Sequence, residues 1–299
     1  MPQGFGDGEF DPGAFRAFLD RAETLGFESA WTQEQVLGTF AQLAPTETMT
    51  YAAACTERIR LGCAVYVTNL HNPVHLAKSL STLDQLSGGR LEIGIGAGGK
   101  QRPFAAFDAD PATFISRFIE GIQLMKACWT EPNISFEGQF WQVHDWGMEP
   151  KPFQKPFPPL WFGGGHPNAL RRGVRLGDGF FGAGSSTTAQ FREQVGHLHR
   201  ILGEEGRDPA GFPVAKRVYI HVDDDATRAQ QVVTARLGRI YAHVGIDFTP
   251  VAVFGSPEAC VQGVREVVDA GADMVLFTPL QDEASQMERL ATEVVPKIS

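Results

Sequence analysis

Helical and strand patterns alternate along almost the whole chain, and this alternation limits the possible folds more than any other feature. Apolar residues recur at helical spacing over 12–26, 43–56, 73–86, 111–129, 168–176, 188–205, 225–244, 257–270 and 283–295. Between these helices lie short apolar segments, at 27–32, 58–67, 90–96, 159–165, 178–184, 215–222 and 272–279. Such segments are typical of strands that are buried on both faces.

The alternation predicts parallel strands joined by helical crossovers, either in an open doubly wound sheet or in a closed barrel. Seven strands are one short of the eight in a (β/α)8 TIM barrel. The absent strand is the first, because the sequence passes from Pro2-Gln3-Gly4 almost directly into a helix. We therefore expect an α/β fold, a (β/α)8 TIM barrel with insertions, whose first strand is truncated or irregular.

A proline-rich segment at about 131–159 interrupts this alternation. Its prolines, at positions 132, 150, 152, 156, 158 and 159, exclude a helix. The sequence "NISFEGQFWQV" within it predicts a hairpin that turns at Glu137-Gly138. We therefore expect a single domain over residues 1–299 that carries an ordered hairpin insertion.

The composition excludes several classes of function. The net charge is −9, and no cluster of basic residues suits a nucleic acid. No apolar segment approaches the length of a membrane span. The four cysteines form no C-x-x-C pair, which predicts neither a zinc site nor disulfides and favours the cytoplasm. His71 and His75 have a metal-binding spacing, but Pro73 lies between them, so we expect no metal.

The glycines at 94, 96 and 99 fit the dinucleotide-binding pattern G-x-G-x-x-G. That pattern also needs a helix that starts within the glycines and an acidic residue after the next strand, and the sequence has neither. The glycines are better explained as a strand end where the backbone passes close to a ligand. Other predicted strand ends also carry glycines, at 163–165, 182, 184 and 255.

Two further groups of residues are candidates for binding a ligand. The segment "GAGSSTTAQF" precedes a helix and offers backbone N–H groups and hydroxyls, so it is the best candidate anion site. Four aromatic residues in or near predicted loops are expected to line an apolar pocket: Trp31, Phe104, Trp141 and Trp146. No G-x-S-x-G motif supports hydrolysis.

Two blocks of sequence resemble a known family. The blocks "TERIRLGCAVYVTNLHNPVHLAKSLSTLDQLSGGRLEIGIGAGG" and "PPLWFGGGHPNALRRGVRLGDGFF" resemble the bacterial luciferase-like flavin and deazaflavin oxidoreductases. The resemblance implies a (β/α)8 barrel, usually a homodimer. It also implies that FMN or coenzyme F420 binds at the carboxyl ends of the strands.

The resemblance assigns roles to individual residues. It implies a bulge with a non-prolyl cis peptide between Ala64 and Val65, behind the ring of a deazaflavin. Thr68 and Asn69 would lie near that ring, and Gly96 would end the fourth barrel strand beneath it. The cofactor phosphate and ribityl chain would lie against Gly164, Gly165, Gly184, Ser185 and Ser186.

The sequence also departs from the family at functional positions. The histidine that many members carry after the second barrel strand is replaced by Gln35, next to Glu34, which disfavours a general-base alcohol dehydrogenase. Gly99 replaces an acid found in the sugar-phosphate dehydrogenase branch. The arginine of FMN-dependent members is absent at Ala97, which favours F420, although Lys100 or Arg102 could substitute for it.

These observations predict an F420-dependent oxidoreductase that moves a hydride between C5 of the deazaflavin and a small organic substrate. Trp31, Glu34 and Gln35 are the expected catalytic residues. Phe104, Trp141 and Trp146 are expected to shape the substrate pocket. One alternative is an FMN-dependent monooxygenase, which would need a flavin reductase as partner. A second is a non-catalytic, cofactor-binding or structural homologue.

Overall fold

The computed structural model describes residues 1–5, 8–99, 104–242 and 244–298. The chain divides into two compact units. The first comprises Met1–Glu23 and Glu28–Trp161, and the second comprises Thr24–Phe27 and Phe162–Ser299. That residues 1–299 form one domain stays a prediction.

The first unit contains helices packed against short parallel strands. Its helices are α1 (Pro12–Thr24), α2 (Pro45–Cys55), α3 (Pro73–Leu86) and α4 (Phe114–Thr130). Its strands are β1 (Ser29–Thr32), β2 (Arg60–Val67) and β3 (Leu91–Gly96), followed by β4 (Ile134–Glu137), β5 (Gln142–Trp146) and the start of β6 (Leu160–Gly163). In the sheet, these strands lie side by side in the order β1, β2, β3, β6. Sheet neighbours therefore follow one another along the chain, apart from the β4–β5 hairpin, as expected for parallel strands joined by crossovers.

The second unit repeats this pattern. It contains the end of β6, then α5 (Pro167–Leu176), β7 (Gly179–Gly182), α6 (Thr188–Glu204), β8 (Val214–Val222) and α7 (Ala226–Ile240). It ends with β9 (Ala252–Gly255), α8 (Pro257–Val268), β10 (Met274–Pro279) and α9 (Glu283–Arg289). Strand β8 is parallel to β7, β9 and β10.

Helix α3 begins with a side-chain cap. Asn72 precedes α3, and its side-chain oxygen accepts the N–H groups of Val74 and His75, while Pro73 occupies the first helical position. Helix α4 begins later than predicted, because the Asp110 side chain accepts the N–H of Ala112 and holds a turn there.

Strand β9 was not among the seven predicted strands. It has four residues and pairs with the last four residues of β8, from Tyr219↔Ala252 to Val222↔Gly255. A strand this short carries little periodicity, so only the glycine at its end marked it in the sequence. All seven predicted strands are present.

Residues 1–5 form no strand, but they are held firmly beside β1. The Gln3 side chain donates to the carbonyl oxygens of Gln33 and Leu43 and accepts the N–H of Gln33. Gly4 forms an isolated antiparallel bridge with Gln42. Within the described residues, the amino-terminal segment thus contributes a single bridge, and whether the first strand is truncated or irregular stays a prediction.

The proline-rich segment contains an antiparallel hairpin, β4 with β5. Glu120 of α4 fixes its tip, because the carboxylate accepts the N–H groups of Gln139, Phe140 and Trp141 at 2.8–3.0 Å. A charged acceptor shared by three backbone donors holds the tip against α4.

Candidate cofactor-binding and active site

The carboxyl end of β2 is irregular. Its register against β3 shifts between Cys63, which pairs with Ile93, and Tyr66, which pairs with Ile95. The two residues in between, Ala64 and Val65, are joined by the cis peptide that the family resemblance implies. Such a bulge redirects the backbone at the end of a strand, where barrel enzymes bind their ligands.

The bulge explains the glycines of β3. A Cβ atom on Gly94 would lie 2.2 Å from the carbonyl oxygen of Cys63, and one on Gly96 would lie 3.0 Å from a Val65 methyl group. Position 94 therefore excludes any side chain. Gly94 and Gly96 of the apparent dinucleotide motif are therefore explained by packing against the bulge of β2.

Glu34 lies two residues beyond β1 and connects the ends of the first two strands. Its carboxylate accepts the Val67 N–H and contacts Nε2 of His71, both at 2.7 Å. The Glu34 side chain is 2 % exposed, whereas that of His71 is 27 % exposed. A buried carboxylate is thus satisfied by one backbone and one imidazole donor, and it orients a ring that reaches solvent.

Cys63 and Tyr66 lie beside this carboxylate and are held in their neutral forms. Burial, followed by the charge of Glu34, raises the pKa of the Cys63 thiol well above its usual value. Burial also raises the pKa of the Tyr66 phenol, whose oxygen lies 2.8 Å from Oγ1 of Thr46. Neither group is therefore available as a nucleophile or base near neutral pH.

Thr68 and Asn69 follow β2 directly and carry polar atoms that need a partner. The Asn69 amide donates to the carbonyl oxygens of Ala97 and Phe114, at 2.9 and 2.8 Å. Its Oδ1 and the Thr68 Oγ1 are buried and have no hydrogen-bond partner among the described residues. Buried polar atoms are normally paired, so these two suit a polar ligand edge such as the dione edge of a flavin or deazaflavin.

An apolar cluster adjoins these polar atoms. Phe104 is 1 % exposed and packs with Val67, Leu70 and Ala109. Its ring stacks on that of Phe114, with centroids 6.0 Å apart. The structure therefore brings Phe104 to Val67 and Leu70, the residues that flank Thr68 and Asn69 in the sequence.

The predicted tryptophans lie elsewhere in the first unit. The Trp31 ring packs on Gly62 and edge-on against Trp161, at 6.3 Å between centroids. Trp141 lies against α4, under the guanidinium of Arg117 at 4.6 Å. Trp146 is 71 % exposed on the hairpin. The roles assigned to these three tryptophans stay predictions.

Gln35 is half-buried, and its side chain folds over Gly38, where a Cβ atom would lie 1.5 Å from Nε2. Lys100 and Arg102, the possible substitutes for the absent arginine at Ala97, lie outside the described residues. The roles of all three stay predictions.

In the second unit, the predicted phosphate-binding residues follow β6 and β7. Gly164 has a φ of 110°, a conformation that favours glycine. A Cβ atom on Gly165 would lie 2.3 Å from Nε2 of Gln194, and one on Gly184 would lie 2.8 Å from the Tyr219 ring. Ser185 is exposed and Ser186 is buried.

The start of α6 uses several of its own backbone donors. Thr187 and Gln190 form a capping box in which each side chain accepts the other's N–H. The Ser186 N–H donates to the carbonyl oxygen of Ala183. The N–H groups of Ser186, Thr187 and Gln190 are therefore already paired, and anion binding by this segment stays a prediction.

Lys216 was missed from the sequence and fixes the loop that carries these residues. It is 2 % exposed, and its Nζ donates to the carbonyl oxygens of Ala183 and Ser186 and to the Ser186 hydroxyl. Burial and the neighbouring Arg217 lower the pKa of the Lys216 ammonium to about 7. A lysine inside the apolar strand β8 was the signal in the sequence.

His71 was also missed, because the sequence presented it only as half of a metal-like pair with His75. Thr32 pairs with Cys63, so Glu34 is level with the bulge of β2. If β1 and β2 had been paired in this parallel register at the outset, Glu34 could have been placed near the residues that follow β2.

The chain is similar to several known proteins. The family model described as luciferase-like monooxygenase matches residues 2–274. An F420-dependent glucose-6-phosphate dehydrogenase of Kineococcus radiotolerans is 26% identical over 96% of this chain and 94% of its own length. An FMNH(2)-dependent dimethylsulfone monooxygenase of Pseudomonas putida is 30% identical over 64% of this chain and 54% of its own length.

Solved structures agree on the fold. An F420-dependent secondary alcohol dehydrogenase matches with a TM-score of 0.85 and 17% identity, over 97% of this chain and 96% of that one. The predicted fold class, an α/β fold of the TIM-barrel type, is confirmed. No helix among the described residues is both long and apolar enough to cross a bilayer.

Proposed function

The chain belongs to the luciferase-like monooxygenase family, and on that basis we propose that it is an F420-dependent oxidoreductase acting on a small organic substrate. The observation that carries the proposal is the pair of buried, unpartnered oxygens of Thr68 and Asn69 at the end of β2. When bound there, the deazaflavin supplies the hydride chemistry, and the protein supplies orientation and exclusion of water. The apolar cluster around Phe104 favours an uncharged substrate portion.

The choice of F420 over FMN has separate support. The F420-dependent relatives match over 96–97% of this chain, whereas the FMN-dependent relative matches over 64%. Ala97 also stands where FMN-dependent members often have an arginine. Glucose 6-phosphate is not the proposed substrate, because Gln35 and Gly99 replace the histidine and acid of the sugar-phosphate branch.

A second candidate function is an FMN-dependent monooxygenase. The observation that favours it is the identity of 30% to the dimethylsulfone monooxygenase, over a shorter match than that of the F420-dependent relatives. This function would require a partner reductase that delivers reduced flavin.

Assembly and location complete the proposal. We place the protein in the cytoplasm, because all four cysteines are free. We also propose a homodimer that uses the groove of about 590 Å³ between α2 and α3, where Tyr51 and Leu86 are 36 % and 63 % exposed. Light scattering tests the dimer, and a Leu86→Glu variant should then be monomeric.

Titration with each cofactor tests the proposed function. Quenching of cofactor fluorescence by the purified protein should give a dissociation constant for F420 that is lower than that for FMN. Binding of FMN alone would support the monooxygenase instead. Binding of neither cofactor would contradict both enzymes and favour the non-catalytic homologue.

A further inference from the structure

We propose that His71, oriented by Glu34, is the proton-transfer residue of this enzyme, and that its substrate is a small alcohol or the corresponding ketone. The inference rests on the proposed function and deepens it. Gln35 disfavoured a general-base alcohol dehydrogenase, because it replaces the histidine expected after β1. The structure shows a different histidine, His71, after β2 and in contact with Glu34.

The first argument is the tautomer of His71. One Glu34 oxygen is occupied by the N–H of Val67, and the other lies 2.7 Å from Nε2 of His71. With Glu34 ionised, its oxygens can only accept, and Nε2 of His71 then carries the hydrogen of this contact. In the neutral ring, Nδ1 then holds the lone pair and acts as the base.

The second argument is the position of the ring. The backbone N–H of His71 donates to the carbonyl oxygen of Thr68, which closes the turn that carries the unpartnered oxygens of Thr68 and Asn69. The edge-on ring of Tyr66 supports the imidazole, with centroids 6.0 Å apart. Nδ1 of His71 has no hydrogen-bond partner within the described part of the chain, and the side chain is 27 % exposed.

The third argument is the chemistry that such a pair can perform. When an alcohol is oxidised, its hydroxyl proton passes to Nδ1 of His71. The carbinol hydrogen leaves with its electron pair to the deazaflavin, and the carbon–oxygen double bond forms. The Glu34 carboxylate stabilises the resulting imidazolium, and in the reverse direction Nδ1 returns the proton to the ketone oxygen.

A Glu34→Gln variant separates this role from simple packing. Both partners of Glu34 are N–H donors, and a glutamine offers one oxygen and one NH₂ group. Because the Val67 N–H is fixed in the backbone, the amide oxygen should stay there and the NH₂ group should face Nε2 of His71. The ring should then carry its proton on Nδ1, which removes the base.

The experiment combines nitrogen NMR with turnover. Long-range ¹H–¹⁵N spectra of the cofactor-free wild type should show a protonated Nε2 and an unprotonated Nδ1 in His71, and Glu34→Gln should show the reverse. With F420 and a panel of 2-propanol, 2-butanol and cyclohexanol, Glu34→Gln and His71→Gln should lose turnover by about 100-fold or more. His75→Gln, an exposed histidine one helical turn away, should match the wild type in both measurements.

The outcomes distinguish this inference from the proposed function. Failure of the wild type to bind F420 would contradict the proposed function, whereas the NMR spectra of the cofactor-free protein would still test the tautomer of His71. If F420 binds, a proton on Nδ1 in the wild type, full turnover by His71→Gln, or no turnover of any alcohol by the wild type would each overturn the role of His71.

Discussion

At the scale of single residues, the candidate site depends on which buried polar atoms already have partners. Each Glu34 oxygen contacts a donor, on Val67 or His71, whereas Thr68 and Asn69 each keep one buried oxygen that has no partner in the part of the chain that the structure describes. The sequence could identify these residues by family resemblance. It could not separate satisfied atoms from unsatisfied ones, because that difference arises from the packing around them.

This contrast predicts opposite effects for two threonine substitutions. Thr68→Val removes an unpaired hydroxyl, so the free energy of unfolding of the cofactor-free protein should rise by about 1 kcal/mol while F420 affinity falls. Thr32→Val removes a hydroxyl that donates to the Gly62 carbonyl at 3.0 Å, and stability should fall by about 1 kcal/mol. Urea unfolding measures both values. A loss of stability in Thr68→Val would show that its hydroxyl is already paired.

At the scale of elements, the bulge of β2 and the glycines of β3 form one unit. The strand boundaries were predictable from apolar patterns, but the cause of the glycines was not, because it lies in the neighbouring strand. Gly94 faces a backbone carbonyl, which cannot move aside as a flexible side chain can. The two glycines of the "GIG" segment are therefore explained by strand packing and not by phosphate binding.

Replacement of Gly94 by alanine should destabilise the protein by about 3 kcal/mol, because its Cβ atom would meet the carbonyl of Cys63. The matched control is Gly196→Ala, within α6, where an added Cβ atom meets nothing within 4 Å. That variant should gain about 0.5–1 kcal/mol from better helix propensity. Equal effects of the two substitutions in urea unfolding would contradict the packing explanation.

The loop between β7 and α6 should make stability depend on pH through Lys216. Its pKa falls from 10.5 in an ordinary lysine to about 7 in the folded protein, so the unfolded chain binds more protons between these values. Stability therefore increases as pH rises from 7, by up to about 1.4 kcal/mol per pH unit. In Lys216→Met this contribution is absent. The unfolding free energy of the wild type minus that of the variant should thus rise from pH 7 to pH 9, and a constant value would be inconsistent with a buried, titrating lysine.

At the scale of the whole molecule, the alternation of strands and helices was sufficient to predict the fold class. Residues far apart in the sequence were harder to connect. In the sequence, Glu34 was considered together with Gln35, and His71 together with His75. The parallel register of β1 and β2 instead brings Glu34 into contact with His71. The lysine within the apolar strand β8 was visible in the sequence, but its contact with the loop at Ser186 was not.

Transfer of an isotopic label tests the central claim most directly. The protein is mixed without oxygen with F420 and 2-propanol deuterated at the carbinol carbon, and the reduced cofactor is analysed by mass spectrometry. We predict that the reduced F420 carries one deuterium and that acetone accumulates in equal amount. Reduced F420 without deuterium, or oxygenated product formed only with reduced FMN and oxygen, would contradict the proposed function.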